Sequence, residues 1–218
     1  MFKEEAIWLS RSLEKYDCSD LSPLLDVGSS TAEYRTIIQP WIENEIFSPL
    51  RKKGVTILHF DRKKEIGIDI TGDIESDQFP GQLSPMKFRS IFLCSILEHV
   101  VNRQIMAKNI DEVLEEGGLL FITCPFNYPY HRDPIDTLFR PGVEEIHELF
   151  PRMTLVSQEL VNCYRYHESL IKNFQLLSNQ FFSFAREGTF DERLFSLQNL
   201  KMSLKRDQVT CVILKKQV

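Results

Sequence analysis

The stretch LLDVGSSTA, Leu24 to Ala32, constrains the fold of this chain more than any other. A short apolar run of strand length closes on an acid, Asp26, and gives way to Gly28, Ser29 and Ser30 before a helix-compatible segment begins. Such a turn lets a ligand press against bare backbone, because Gly and Ser carry little or no side chain. The helix behind it points free N–H groups and a positive dipole end at that ligand. Strand, turn and helix are also the building unit of any α/β protein, so this feature bears on architecture before it bears on function.

The rest of the chain repeats the alternation. Lys3 to Lys15 places Ile7, Trp8 and Leu13 among charges at amphipathic spacing. Glu33 to Lys53 reads as helix interrupted near Pro40 and Pro49, and Gly54 stops it. VTILHF, Val55 to Phe60, is a second strand closed by Asp61, and Glu65 to Ile74 is short and β-leaning. FRSIFLCSI, Phe88 to Ile96, has the apolar run of a strand buried on both faces. Asn102 to Glu115 is expected as a helix ended by Gly117-Gly118, with LLFITCP, Leu119 to Pro125, as the next strand. Phe126 to Gly142 reads as a long irregular loop with three prolines, and long loops in compact domains often carry function. Val143 to Phe150 is a helix, Met153 to Cys163 is β-leaning, Glu168 to Phe184 and Asp191 to Leu204 read as helices, and Gln208 to Lys216 is a last strand.

Buried strands alternating with helices predict an α/β fold with a doubly wound, mostly parallel sheet and helices on both faces. Ligands in such sheets bind outside the carboxyl ends of the strands. Gly28, Asp61, Ser95 and the stretch from Phe126 fall at those ends. A single domain over 1–218 is expected, with 164–205 as a helical insertion before the last strand. That insertion is rich in Phe; phenylalanines at helical spacing read as core, and a lid or homodimer surface is the alternative.

Charge and composition remove several function classes. The net charge of −5 argues against broad capture of nucleic acid, and the RKK triplets at 51–53 and 62–64 read as solvated surface. The five cysteines form no CxxC pair, and their odd number suits a reducing compartment. Histidines are scattered, so no metal site is expected. No signal-peptide core or membrane-length apolar window is visible, and a soluble cytoplasmic protein is expected.

Taken in order, these motifs resemble class I S-adenosylmethionine-dependent methyltransferases, and in CPFNYPYHRDPID followed by FRPGVEEI the group often linked to polysaccharide synthesis. LLDVGSSTA resembles that family's first motif, GDI at Gly72–Ile74 its third acidic position, CSILEHV at Cys94–Val100 the motif after its fourth strand, and EVLEEGGLLFITCPF its helix, double-glycine turn and fifth strand. The resemblance implies a Rossmann-like, seven-stranded sheet whose last strand runs antiparallel at or near an edge. It also implies S-adenosylmethionine as cofactor. Asp61 would hold the ribose hydroxyls, Asp73 the adenine amine, and Asp26 the cofactor's ammonium, with Gly28, Ser29, Ser30, Ile74 and Ser95 against the same molecule. The family's first motif usually carries three glycines; here Ser30 and Ala32 stand at the second and third positions. A left-handed backbone at either would cost about 1 kcal/mol or more.

In the loop after the fifth strand His131 is the general-base candidate, because an imidazole titrates near neutrality, with Asp133 or Asp136 to orient it. Tyr128 and Tyr130 offer aromatic faces to a sulfonium. At the start of the helix after the fourth strand, Glu98 reads as an acid favoured by the helix dipole. The acceptor is expected to be a small or sugar-like molecule. Two other functions stay open: a non-catalytic binding protein on the same fold, motivated by the reduced glycine motif, and a nicotinamide-dependent oxidoreductase, against which the missing GxGxxG spacing counts.

Overall fold

The computed structural model describes residues 1–130, 135–163 and 207–218. Seven strands form one sheet: β1 (Leu24–Val27), β2 (Ile57–Asp61), β3 (Ile70–Thr71), β4 (Phe88–Cys94), β5 (Leu114–Asn127), β6 (Met153–Cys163) and β7 (Asp207–Lys216). Their order across the sheet is β3-β2-β1-β4-β5-β7-β6. The pairs from β3 to β5 are parallel, while β7 runs antiparallel to both β5 and β6. The antiparallel last strand thus lies next to the edge, and β6 forms the edge itself. The expected helices Glu168–Phe184 and Asp191–Leu204, within the proposed insertion 164–205, lie outside the described residues.

Both faces of the sheet are covered over β1, β4, β5 and β7, and the pleat sorts the side chains between them. Leu25, Val27, Phe60, Ile91, Leu93, Leu120 and Ile122 pack with α5 (Phe79–Leu83), α6 (Arg103–Val113) and α7 (Val143–Leu149). Leu24, Phe92, Phe121, Cys211 and Ile213 pack on the other face with α1 (Lys3–Leu13), α2 (Cys18–Leu21) and with Ile42, Ile46, Phe47 and Leu50. A strand buried on two faces needs apolar residues at nearly every position, which is why β4 reads as a continuous run.

The segment after the first turn is more broken than an amphipathic pattern predicts. Tyr34–Ile38 and Glu43–Phe47 are π-helical, separated by α3 (Pro40–Ile42) and followed by α4 (Ser48–Lys52). Pro40 has no N–H to give, and the Gln39 amide reaches back five residues to Tyr34 O at 2.8 Å. The helix expected to run to Glu115 ends instead at Val113, because Leu114 already pairs with Phe88 as β5 begins. Gly117, at φ 77°, then lies within that strand rather than ending the helix.

Candidate functional site

A cavity of about 830 Å³ opens at the carboxyl ends of the parallel strands. Asp26, Gly28, Ser29, Ser30, Asp61, Asp73, Ile74 and Ser95, singled out in the sequence as eight separate positions, all line it. They come from four strand ends that only the parallel packing of β1, β2, β3 and β4 brings together.

The turn after β1 is held by polar contacts. Gly28 has φ 73°, and a Cβ there would meet Ile96 Cδ1 at 2.7 Å. Ser30 also takes a left-handed backbone, at φ 55°, so the position where the sequence lacks a glycine does require the conformation that favours one. Its amide donates to Asp61 Oδ2 at 2.8 Å. Arg35, buried beneath the turn, donates to the carbonyls of Ser29 at 2.9 Å, of Ser30, and of Gly67 at 2.7 Å. Ala32, at the other position without a glycine, is accommodated differently. Gly67 faces it so closely that a Cβ on Gly67 would stand 2.5 Å from Ala32 Cβ.

Asp61 accepts from Ser30 through one oxygen and from the Lys63 amide at 3.0 Å through the other. Each carboxylate oxygen has two lone-pair sites, so the group keeps capacity for two more donors, as a vicinal diol presents. Asp73 accepts from the Glu75 amide at 3.0 Å and pairs with Arg62 at 3.1 Å. Asp26 is buried and bonds to His59 Nδ1 through Oδ2 at 2.9 Å. Acceptors at three points around an 830 Å³ space fit a nucleoside-bearing ligand with hydroxyls, an exocyclic amine and an ammonium.

The wall formed by Phe2, Ser95, Glu98, His99 and Tyr128 is backed by the buried carboxyl of Glu5. Glu5 of α1 is fully buried; its Oε1 accepts from Ser95 Oγ at 3.2 Å and from Thr123 Oγ1, and its Oε2 from the Phe2 amide at 2.9 Å. Phe2 packs edge-on against Tyr128 with ring centroids 5.7 Å apart. Glu98 and His99 belong to a 3₁₀ turn, Leu97–His99, ahead of α6, and both line the cavity. Burial raises the Glu98 carboxyl above the ordinary glutamate range, against the lowering pull of its own backbone hydrogen bond and of His99. His99 Nδ1 lies against the Ile135 carbonyl, which leaves Nε2 toward Glu98 Oε1 at 3.8 Å. A dipole-favoured acid at a helix start is ordinarily solvated; Glu98 is only 1% exposed, a burial that nothing in the local sequence signals. Burial also raises the thiols of Cys94 and Cys124, so neither is poised as a thiolate.

His131 and Asp133 lie outside the described residues. Asp136 pairs with Arg140 at 2.6 Å, and Arg140 also donates to the carbonyls of Tyr128 and Pro129. Among the described residues no group of three or more His, Cys, Asp or Glu side chains could hold a metal ion, and no helix is long and apolar enough to cross a membrane.

No family model matches the chain. Over 52 residues it is 36% identical to (S)-coclaurine N-methyltransferase of Papaver somniferum, a match that takes in 23% of this chain and 15% of that relative. Among solved structures, coclaurine N-methyltransferase bound to N-methylheliamine and S-adenosylhomocysteine superposes with a TM-score of 0.57 at 14% identity, covering 97% of this chain and 72% of the other. The cyclase SpnF gives a TM-score of 0.57 at 16% identity, covering 97% and 81%. With β7 antiparallel beside β5 and the cavity at the strand ends, the chain has the Rossmann-like fold of the class I S-adenosylmethionine-dependent methyltransferases.

Proposed function

We propose that this protein is an S-adenosylmethionine-dependent methyltransferase acting on a small-molecule acceptor. The observation that carries this reading is the convergence of Asp26, Ser30, Asp61 and Asp73 on one cavity at the strand ends. S-adenosylmethionine, when bound, supplies a methyl group activated by a positively charged sulfur. The chain's own task is to hold and orient. Asp61 takes the ribose hydroxyls, Asp73 the adenine amine, and Asp26 the ammonium, while Gly28, Ser29, Ser30, Ile74 and Ser95 line the rest. The acceptor enters between the turn and the wall of Tyr128, Glu98 and His99.

For a hydroxyl acceptor a base must take the proton as oxygen attacks carbon. His131, oriented by Asp133, is our assignment from the sequence; His99 beside Glu98 is the ionisable pair on the described wall of the cavity. An amine acceptor that arrives unprotonated needs less help. The cavity's mixture of acids, bases and aromatic rings suits an amine or a polyhydroxylated, sugar-like molecule.

Calorimetric titration with S-adenosylhomocysteine, with NAD for comparison, tests the reading. S-adenosylhomocysteine should bind and NAD should not. Asp61→Asn should weaken that binding by about 1–3 kcal/mol while the fold survives, since a charge-assisted acceptor is lost at a strand end. Unchanged affinity in a folded variant would remove Asp61 from the site. SpnF supports a second reading, because a protein of this fold is described there as a cyclase. Binding of S-adenosylhomocysteine with no methyl transfer to any amine or hydroxyl acceptor would favour a protein that keeps the cofactor without that reaction.

A further inference from the structure

Asp26 and His59 form a buried polar pair in an otherwise apolar row. β1 and β2 run in parallel with Asp26 opposite His59, and on its other side Asp26 stands opposite Phe92. Both polar residues are only 6% exposed. His59 Nδ1 lies 2.9 Å from Asp26 Oδ2, and its Nε2 lies 3.3 Å from Nη2 of Arg51. Phe47 packs edge-on against the imidazole, ring centroids 4.9 Å apart. Arg51 is held from outside by Glu43 at 2.5 Å.

The chemistry of these groups fixes the protons. A guanidinium only donates, so Nε2 of His59 accepts and the ring proton sits on Nδ1, where it is donated to Asp26. The chain Glu43–Arg51–His59–Asp26 therefore runs from the surface to the cavity wall with one direction of donation for its last two links. It also fixes the carboxylate. Side-chain hydrogen bonds of Asp26 among the described residues run through Oδ2 alone, and Asp26 lines the cavity. An imidazole clamped between Phe47 and Arg51 leaves that carboxylate little rotational choice, and Oδ1 is the oxygen left for a ligand.

We propose that His59 is a positioning residue: by holding Oδ2 it aims Asp26 Oδ1 at the ammonium of the cofactor's amino-acid end. The proposal rests on the cofactor reading above and adds a specific consequence. His59 should govern how well the site tells a ligand with that ammonium from one without it, rather than how well it binds adenosine.

Two probes separate these effects: S-adenosylhomocysteine, which carries the amino-acid end, and methylthioadenosine, the related thioether that lacks it. In His59→Asn the side-chain nitrogen stands near the place of Nδ1 and can still donate to Asp26. In His59→Gln the amide reaches past it toward Arg51. His59→Gln should lose about tenfold in affinity for S-adenosylhomocysteine, with methylthioadenosine within about twofold, while His59→Asn keeps the parent's preference. Equal losses of both ligands in His59→Gln, an unchanged preference there, or an equal loss in both variants would each reduce His59 to a structural residue. Arg51→Met, at a half-exposed position, releases the tautomer and should cost S-adenosylhomocysteine about threefold with methylthioadenosine unaffected; it decides the matter if neither His59 variant folds. A parent protein that binds neither probe would overturn the cofactor reading as well. A parent that binds both probes, with a preference none of the variants alters, would overturn the role of His59 alone.

Discussion

The two walls of the cavity solve the same problem by opposite means. On the turn wall, Gly28, Ser29 and Ser30 border the cavity, and polar side chains such as Arg35 and Asp61 hold their backbone, left-handed at Gly28 and Ser30. On the facing wall the polar groups are side chains, Glu98 in the lining and Glu5 behind it, both buried and answered by hydroxyls, a thiol and an imidazole. The first wall is rigid because its φ angles and close approaches leave little room. The second is sensitive because burial has made the Glu98 carboxyl reluctant to ionise. Sterics should therefore break the turn wall, and pH should move the facing one.

The largest effect is expected at Gly67. Its left-handed φ of 84° and its approach to Ala32 make Gly67→Ala doubly unfavourable, since the new Cβ would also stand 2.9 Å from the Ala32 amide nitrogen. A loss of about 3 kcal/mol in unfolding free energy by denaturant titration is expected, from backbone strain and overpacking together. A loss under about 1 kcal/mol would show that this approach relaxes easily. Ser30→Gly runs the other way. It removes a left-handed serine, and the greater freedom of glycine in the unfolded chain takes back part of the gain, so stability should rise by no more than about 1 kcal/mol. A marked loss would mean that the Ser30 side chain matters more than its backbone.

On the facing wall the expected change is one of slope. Unfolded, Glu98 titrates near 4.5; folded, burial holds it higher. Between those points the folded chain keeps a proton that the unfolded chain has released, so the parent loses stability as pH rises through that interval. Glu98→Gln has no such proton, and its melting temperature should fall less over the same rise. Matching slopes in thermal melts from about pH 4.5 upward would place Glu98 in contact with water.

The same contrast explains what is legible in the sequence. The turn wall is local: strand, Gly28 and helix are neighbours in the chain, and Asp61 and Asp73 announce themselves by closing short apolar runs. The facing wall is assembled over long separations, Glu5 with Ser95 and with Thr123, and no periodicity in residues 1–15 distinguishes a buried glutamate from a solvated one. Burial of Glu98 is invisible for the same reason. Pro40 is legible as a break, but not the π turns on either side, which depend on where the Gln39 amide finds its acceptor. Leu114 reads as helix because LEEGG has no strand pattern; its pairing with Phe88 on a neighbouring strand decides otherwise.

The place of β7 sets an order of events for a growing chain. Among the described residues β6 pairs with the sheet through β7 alone, and β7 itself lies along the side of β5 away from β4. Until Asp207–Lys216 has been synthesised, β5 presents an open row of amides and carbonyls, and β6 has no strand to lie against. A nascent chain thus passes through a stage with its sheet unfinished on that side, the kind of edge that other chains can join. Pairing of Asp207–Lys216 covers that side of β5 and gives β6 its neighbour.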